Sequence, residues 1–185
     1  MEHLHPDVER VLATEVQLQE ACDKLAKEIT EDYKDSGRDL VFVIILKGSI
    51  FFATDLIRRI PLDCYIEFMK VSSYGAGTTT SGFIQVHVDL KRDVKDADVI
   101  LIEDIIDSGR TLEKLSHLLA NRGAHSVKCC TLLDKPERRQ VPLKADYTGM
   151  IIPDEFVIGY GLDYNERYRN LPYVGVLKRS VYADE

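Results

Sequence analysis

Cysteine is scarce in this chain of 185 residues, and what there is forms no pattern. Cys22, Cys64, Cys129 and Cys130 show no CxxC spacing and no nearby histidine pair, which favours buried reduced thiols over a disulfide framework. Five scattered histidines form no HExxH, which argues against a zinc enzyme. Positive charge is in deficit, with 24 Lys and Arg against 31 Asp and Glu, for a net charge of -7. Such a surface offers nucleic acid or an anionic membrane no overall attraction. Any anionic substrate must therefore be met by locally placed Lys, Arg, backbone N–H groups or a metal ion. Long apolar runs are missing too. The longest, LVFVIIL, is far too short to span a bilayer. MEHLHPDVER lacks the apolar core of a signal peptide. The expectation is a soluble cytoplasmic protein, 45% hydrophobic, that buries one core within a single domain over 1–185.

What is present alternates between two periods. After an irregular start, TEVQLQEACDKLAKEITEDY places Leu18, Cys22, Leu25 and Ile29 at helical spacing. Thr14 and Gln17 in front of them form a capping box. DLVFVIIL (39–46) is a continuous apolar run, as in a parallel strand covered on both faces. A Lys-Gly-Ser turn and a helix stopped by Pro61 follow it. LDCYIEFMKV (62–71) reads as a strand and FIQVHVDL (83–90) as a half-exposed one. Between them, SSYGAGTTTSG is a loop of small and hydroxyl residues, of a length that is usually functional or mobile. A strand at 98–103, a helix ended by Gly123 and a strand at 125–135 complete a βαβ rhythm, which predicts a mostly parallel α/β sheet. The core is expected over about 37–150. The segments at about 1–15 and 151–185 do not fit the rhythm and are expected to pack together as a small hood.

In such sheets ligands bind beyond the carboxyl ends of the strands. There the sequence places Lys47-Gly48-Ser49, Glu103-Asp104, Asp107 to Thr111, and Lys135. DSGRT has a glycine for a tight turn and leads into a helix whose first N–H groups are unpaired, which makes a phosphate cradle. Ser108 and Thr111 add hydroxyls, and Arg110 adds countercharge. An ordinary N-capped helix start would use the same residue types. Glu103 and Asp104, adjacent in an extended segment, are expected to point to opposite sides. Carboxylates beside a phosphate cradle suit sugar hydroxyls or Mg²⁺.

VILIEDIIDSGRT resembles the phosphoribosyl-pyrophosphate signature of type I phosphoribosyltransferases: an apolar strand, two acids, two apolar residues, then Asp-Ser-Gly-x-Thr. ILKGS (45–49), LLDKPERR (132–139) and DEFVIGYGLDYNERYRNLP (154–172) narrow the resemblance to the hypoxanthine-guanine branch, in register from about Val11 to Tyr182. The resemblance implies a type I phosphoribosyltransferase fold with helices flanking the sheet. It implies transfer of 5-phosphoribosyl from its pyrophosphate to N9 of hypoxanthine or guanine with Mg²⁺, by a homodimer or homotetramer.

The resemblance also implies residue roles. Lys47 and Gly48 would contact pyrophosphate, together with Arg169. Glu103 and Asp104 would hold the ribose hydroxyls with Mg²⁺ close by. Asp107 would be the general acid or base at purine N7, and Asp107, Ser108, Gly109, Arg110 and Thr111 would bind the 5′-phosphate. Lys135 would donate to the purine 6-oxo group, with Phe156 stacked on the base and the Val157 backbone beside it. Asp163, at the purine side, would coordinate a Mg²⁺ carrying pyrophosphate. Ser73 and Tyr74 would belong to a flap over about 72–82. PERR after Lys135 departs from the longer arginine-containing form of some members, which bears on how the base pocket is braced. By residue type alone, Phe156 could be core, Lys135 a strand-end charge, and Asp163 with Arg169 a surface ion pair. Three rival classes exist. A transferase for xanthine, uracil or orotate would lack the combination of Lys135, ILKGS and the 154–172 segment. A non-catalytic regulator would have lost Asp107 or the flap. A receiver-like domain would leave DSGRT unexplained.

Overall fold

The computed structural model describes residues 4–73 and 84–183. Capping starts the first long helix: Thr14 Oγ1 accepts from Gln17 N–H and the Gln17 side chain accepts from Thr14 N–H, so α1 runs Glu15–Tyr33. Its apolar stripe, Leu18, Cys22, Leu25 and Ile29 among others, is fully buried. Burial of each such Leu or Ile stabilises the fold by roughly 1.5–3 kcal/mol relative to exposure.

The main sheet contains β2 (Leu40–Ile45), β3 (Tyr65–Ser73), β4 (Ile84–Val88), β5 (Asp98–Ile106), β6 (Ser126–Asp134) and β7 (Tyr147–Ile151). The order is β4-β3-β2-β5-β6-β7. The strands are parallel except β4, which is antiparallel to β3. Every residue of β2 is buried, as its unbroken apolar run requires of a strand covered on both sides. Phe42 and Ile44 face a core shared with α1 and α2 (Ile50–Ile57). Val41, Val43 and Ile45 face the opposite core, shared with Leu112, Leu115 and Leu119 of α3 (Arg110–Asn121). This is a mostly parallel α/β sheet flanked by helices, as the βαβ rhythm predicts.

Two boundaries differ from the sequence reading. The start is not irregular: Val8–Ala13 forms β1, paired antiparallel with β9 (Val174–Leu177), which pairs in turn with β8 (Val157–Ile158). This three-stranded sheet joins the two ends of the chain. No amphipathic period announces it, because its register is broken by irregularities between Val8 and Arg10 and between Val11 and Ala13. The second difference is β5, which continues three residues past Glu103 because β6 keeps pairing with it as far as Ile106↔Asp134. A charged pair reads as a strand end, but here it lies within the ladder.

Candidate functional site

Three cavities line up along the carboxyl edge of the sheet. The middle one, about 320 Å³, is lined by Glu103, Asp104, Asp107, Ser108, Gly109 and Thr111, with Leu46 and Ile105. Ile105 and Asp107 also line a second cavity of about 410 Å³, which adds Lys135, Phe156, Val157 and Asp163. Leu46 also lines a third, about 620 Å³, walled by Lys47 and by Glu166 to Leu171. Asp107 therefore stands on the boundary between the acid-lined cavity and the lysine-lined one.

The turn after β5 leaves the N-terminus of α3 open. Gly109 takes φ 78 at the N-cap of α3, a left-handed conformation that side chains rarely adopt, and no side chain caps the helix. The ordinary capped start is thus not what forms. Ser108 Oγ accepts only a long bond, 3.4 Å, from Arg110 N–H. Arg110 is exposed and does not line the cavity. The guanidinium on the turn is that of Arg139. It donates to the Asp107 carbonyl at 2.9 Å and to the Asp134 carboxylate, and its Cδ lies 3.0 Å from where a Cβ on Gly109 would be. Lys135 N–H to Ile106 O and Gln140 N–H to Ser108 O, both 3.0 Å, stitch the same segment to the turn.

Glu103 and Asp104 do not diverge as an extended pair should. Both line the middle cavity, and their side chains lie within hydrogen-bonding reach of each other. Burial, reinforced by the Asp104 charge, pushes the Glu103 carboxyl well above its usual range. Burial raises Asp104 too, against the lowering effect of hydrogen bonds from Glu103 and from the Ile105 N–H. Two acids that resist ionising together are relieved by a cation or by hydroxyl donors. This donor set fits Mg²⁺, which characteristically takes one or two carboxylates and completes its shell with water and substrate oxygens. Among the described residues no group of three or more His, Cys, Asp or Glu converges on one point. Asp163 lies in the lysine-lined cavity and is paired with Arg169 at 2.8 Å.

Lys135 is buried and heavily committed. Its Nζ donates to Glu155 O at 2.7 Å and stands 3.5 Å from Asp107 Oδ1 and 3.9 Å from Asp154 Oδ1. A buried ammonium needs such partners, so it is no loose strand-end charge. Phe156 is 39% exposed rather than core. Tyr182 stacks on it with centroids 5.0 Å apart, and Tyr164 meets it edge-on at 5.6 Å. Val157 is buried in β8, where it pairs with Val176.

At the other end of the row, the Leu46–Lys47 peptide is cis and leads into Gly48. A Cβ on Gly48 would sit 1.6 Å from Asp104 Oδ2, so any side chain here would force the Asp104 carboxylate or the loop to shift. Lys47 Nζ pairs with Glu166 at 2.7 Å, and Arg169 Nη2 reaches the same carboxylate oxygen at 3.4 Å. Of the flap residues, Ser73 closes β3, while Tyr74 and the rest of the loop to 82 lie outside the described residues. Sequence reasoning passed over Arg139, Asp154, Glu166 and Tyr182. Only Arg139 left a trace, in the departure of PERR from the longer form; the others look like ordinary surface residues until the chain folds.

A mostly parallel sheet with paired acids inside β5, followed by an uncapped glycine turn, has the type I phosphoribosyltransferase architecture. The chain belongs to the phosphoribosyl transferase domain family, whose model matches residues 12–165. The hypoxanthine-guanine phosphoribosyltransferase of Staphylococcus epidermidis is 50% identical over 180 residues, 97% of this chain and 99% of that protein. The bifunctional protein TilS/HprT of Listeria innocua is 51% identical over 183 residues, 99% of this chain. The chain spans only 28% of the length of that Listeria relative. A Staphylococcus aureus hypoxanthine phosphoribosyltransferase structure, 49% identical, superposes with a TM-score of 0.92 and covers 96% of each chain. The Trypanosoma cruzi enzyme of the same name is 39% identical and superposes with a TM-score of 0.94, over 98% of this chain and 97% of the other.

Proposed function

We propose that this protein is a purine salvage enzyme. It transfers 5-phosphoribosyl from phosphoribosyl pyrophosphate to N9 of hypoxanthine or guanine and releases IMP or GMP with pyrophosphate. The observation that carries the reading is the row of three cavities joined at Leu46 and Asp107. The cationic end suits pyrophosphate. The middle suits a ribose 5-phosphate, with the acid pair at its hydroxyls and the Gly109 turn at its phosphate. The lysine end suits an oxopurine between Phe156 and Ile105.

The residues divide the chemistry by position. Lys135 donates toward the purine 6-oxo group, and Asp107 accepts the N7 proton as N9 bonds to C1′. The C1′–O bond breaks and its electron pair leaves with pyrophosphate, met by Lys47 and Arg169. Glu103 and Asp104 would hold Mg²⁺ at the ribose, and Asp163 could carry a second ion toward pyrophosphate. When bound, the ion supplies charge stabilisation for the leaving group. Cytoplasmic location and self-association belong to the same proposal. Exposed Ile50, Phe51, Ile66 and Phe68 support self-association as a homodimer or homotetramer. No described helix is long and apolar enough to cross a membrane.

The test is a Mg²⁺-dependent assay with donor and each of hypoxanthine, guanine, xanthine and uracil. Nucleotide formed from the first two supports the reading. Activity with uracil alone would move the enzyme to another branch, and activity with none would end the enzymatic reading.

A further inference from the structure

We infer that Tyr160, which touches none of the three cavities, is a positioning residue that sets how the Lys47–Gly48 loop and Arg169 stand relative to each other. The inference rests on the reading of those two cationic elements as the pyrophosphate site.

The backbone around Tyr160 is unusual. Gly159, Tyr160 and Gly161 all have positive φ, 94, 49 and 105, and only the middle one carries a side chain. A residue with a Cβ holds φ of this sign only when its surroundings fix it. Here the fixing is visible. Tyr160 N–H donates to Leu171 O at 2.9 Å, and Gly161 N–H donates to Arg169 O at 2.9 Å. Arg169 Nη1 returns a bond of 2.8 Å to Gly161 O. Both the backbone and the guanidinium of Arg169 are therefore seated on Gly161.

Gly161 has a second neighbour. A Cβ added to it would come 1.8 Å from Gly48 O, so the two backbones are packed in direct contact. Gly161 is thus wedged between the loop that carries Lys47 and the residue that places Arg169. What holds the wedge is the side chain next to it. The Tyr160 ring is buried, and its hydroxyl donates to Asp55 Oδ2 at 2.6 Å. Gln19 Nε2 donates to the same oxygen at 2.9 Å. Arg59 completes the cluster with bonds to Gln19 Oε1 at 2.5 Å, Asp23 Oδ1 at 2.5 Å and Asp55 O at 2.7 Å. Asp55 and Arg59 belong to α2 and the residues that follow it, and α2 begins immediately after the Lys47–Gly48–Ser49 turn.

One hydroxyl therefore ties the helix that follows the Lys47 loop to the knot that seats Arg169. Burial and the Asp55 hydrogen bond both push the Tyr160 hydroxyl above its ordinary range, so it stays a neutral donor at working pH. A plain packing role would need the ring but not the hydroxyl. The hydroxyl is what fixes α2 against the knot, and small displacements of positioning groups are felt strongly at a reacting centre.

Tyr160→Phe in the full-length protein separates the two roles. The expected result is a roughly tenfold rise in KM for pyrophosphate in the reverse reaction, as for one lost hydrogen bond to a charged group. The KM for IMP should stay within about twofold, since the partners of the Tyr160 hydroxyl, Asp55 and Cys22, line neither the purine cavity nor the acid-lined one. Asp55→Asn, which keeps a carbonyl acceptor, should restore most of the pyrophosphate affinity that Asp55→Ala loses. Calorimetric titration with Mg²⁺ and pyrophosphate reads the same affinity without turnover. A wild-type protein that makes no nucleotide would overturn the functional reading, yet the calorimetric comparison would still decide for or against Tyr160. A lowered melting temperature with both KM values unchanged would reduce Tyr160 to packing, and equal rises in both would mean general loosening.

Discussion

Three side chains decide what the site can do. Asp107 is half exposed, and its Oδ1 lies 3.5 Å from the Lys135 ammonium at the boundary of two cavities. Asp107→Asn should slow turnover roughly 10²–10⁴-fold, the range for a general acid–base group, while IMP still binds. Steady-state rates alongside equilibrium binding check this, and full activity would remove Asp107 from the role. Lys135→Ala should weaken discrimination among oxopurines more than donor binding, because Lys135 lines the cavity proposed for the purine; equal losses in both KM values would contradict that. Glu166 predicts a change of the opposite sign. Its carboxylate sits between Lys47 and Arg169, where an anionic ligand would have to displace it. Exposed ion pairs of this kind are weak, so Glu166→Gln should lower the KM for pyrophosphate by only a few-fold. An unchanged or higher KM would mean that the carboxylate helps to bind rather than to compete.

At the scale of elements, the arrangement depends on backbones coming close. β5 carries the acids into the sheet, the Gly109 turn opens α3 toward them, and the Lys47–Gly48 loop closes from the other side. Gly48→Ala tests that closure. The new Cβ would collide with the Asp104 carboxylate, so either the acid turns away or the loop withdraws. Donor binding should fall far more than base binding, with the sheet and helices intact by circular dichroism. A variant with an unaltered donor KM would show that the contact does not matter. Much of this level was legible in the sequence. The Thr14–Gln17 capping box, the buried stripe of α1 and the doubly covered β2 all follow from period and residue type. The extension of β5 past Glu103 was not legible, because the strand continues only where β6 supplies a partner.

Assembly is decided at the scale of the whole molecule. Ile66 and Phe68 project from the same side of β3, in line with Phe42 and Ile44 of β2, and remain exposed where α1 and α2 no longer cover the sheet. Ile50 and Phe51 of α2 are exposed as well. Such side chains are expected to lie between subunits. Phe68→Lys should shift the mass measured by light scattering toward that of one chain. Wild-type protein that is already monomeric at micromolar concentration would remove the proposal.

The sequence by itself determined the helices and strands whose signals are local, because hydrophobic period, caps and turn glycines act within a few residues. It also pointed to the tight turn before α3, since a glycine there allows the positive φ that Gly109 takes. The tertiary structure alone decided that Glu103 and Asp104 share one cavity and that Asp107 stands between two. It also decided that Arg139 braces the turn, and that Tyr160 stands behind Arg169. Each of these depends on contacts between residues far apart in the chain, for which neighbouring residues give no signal.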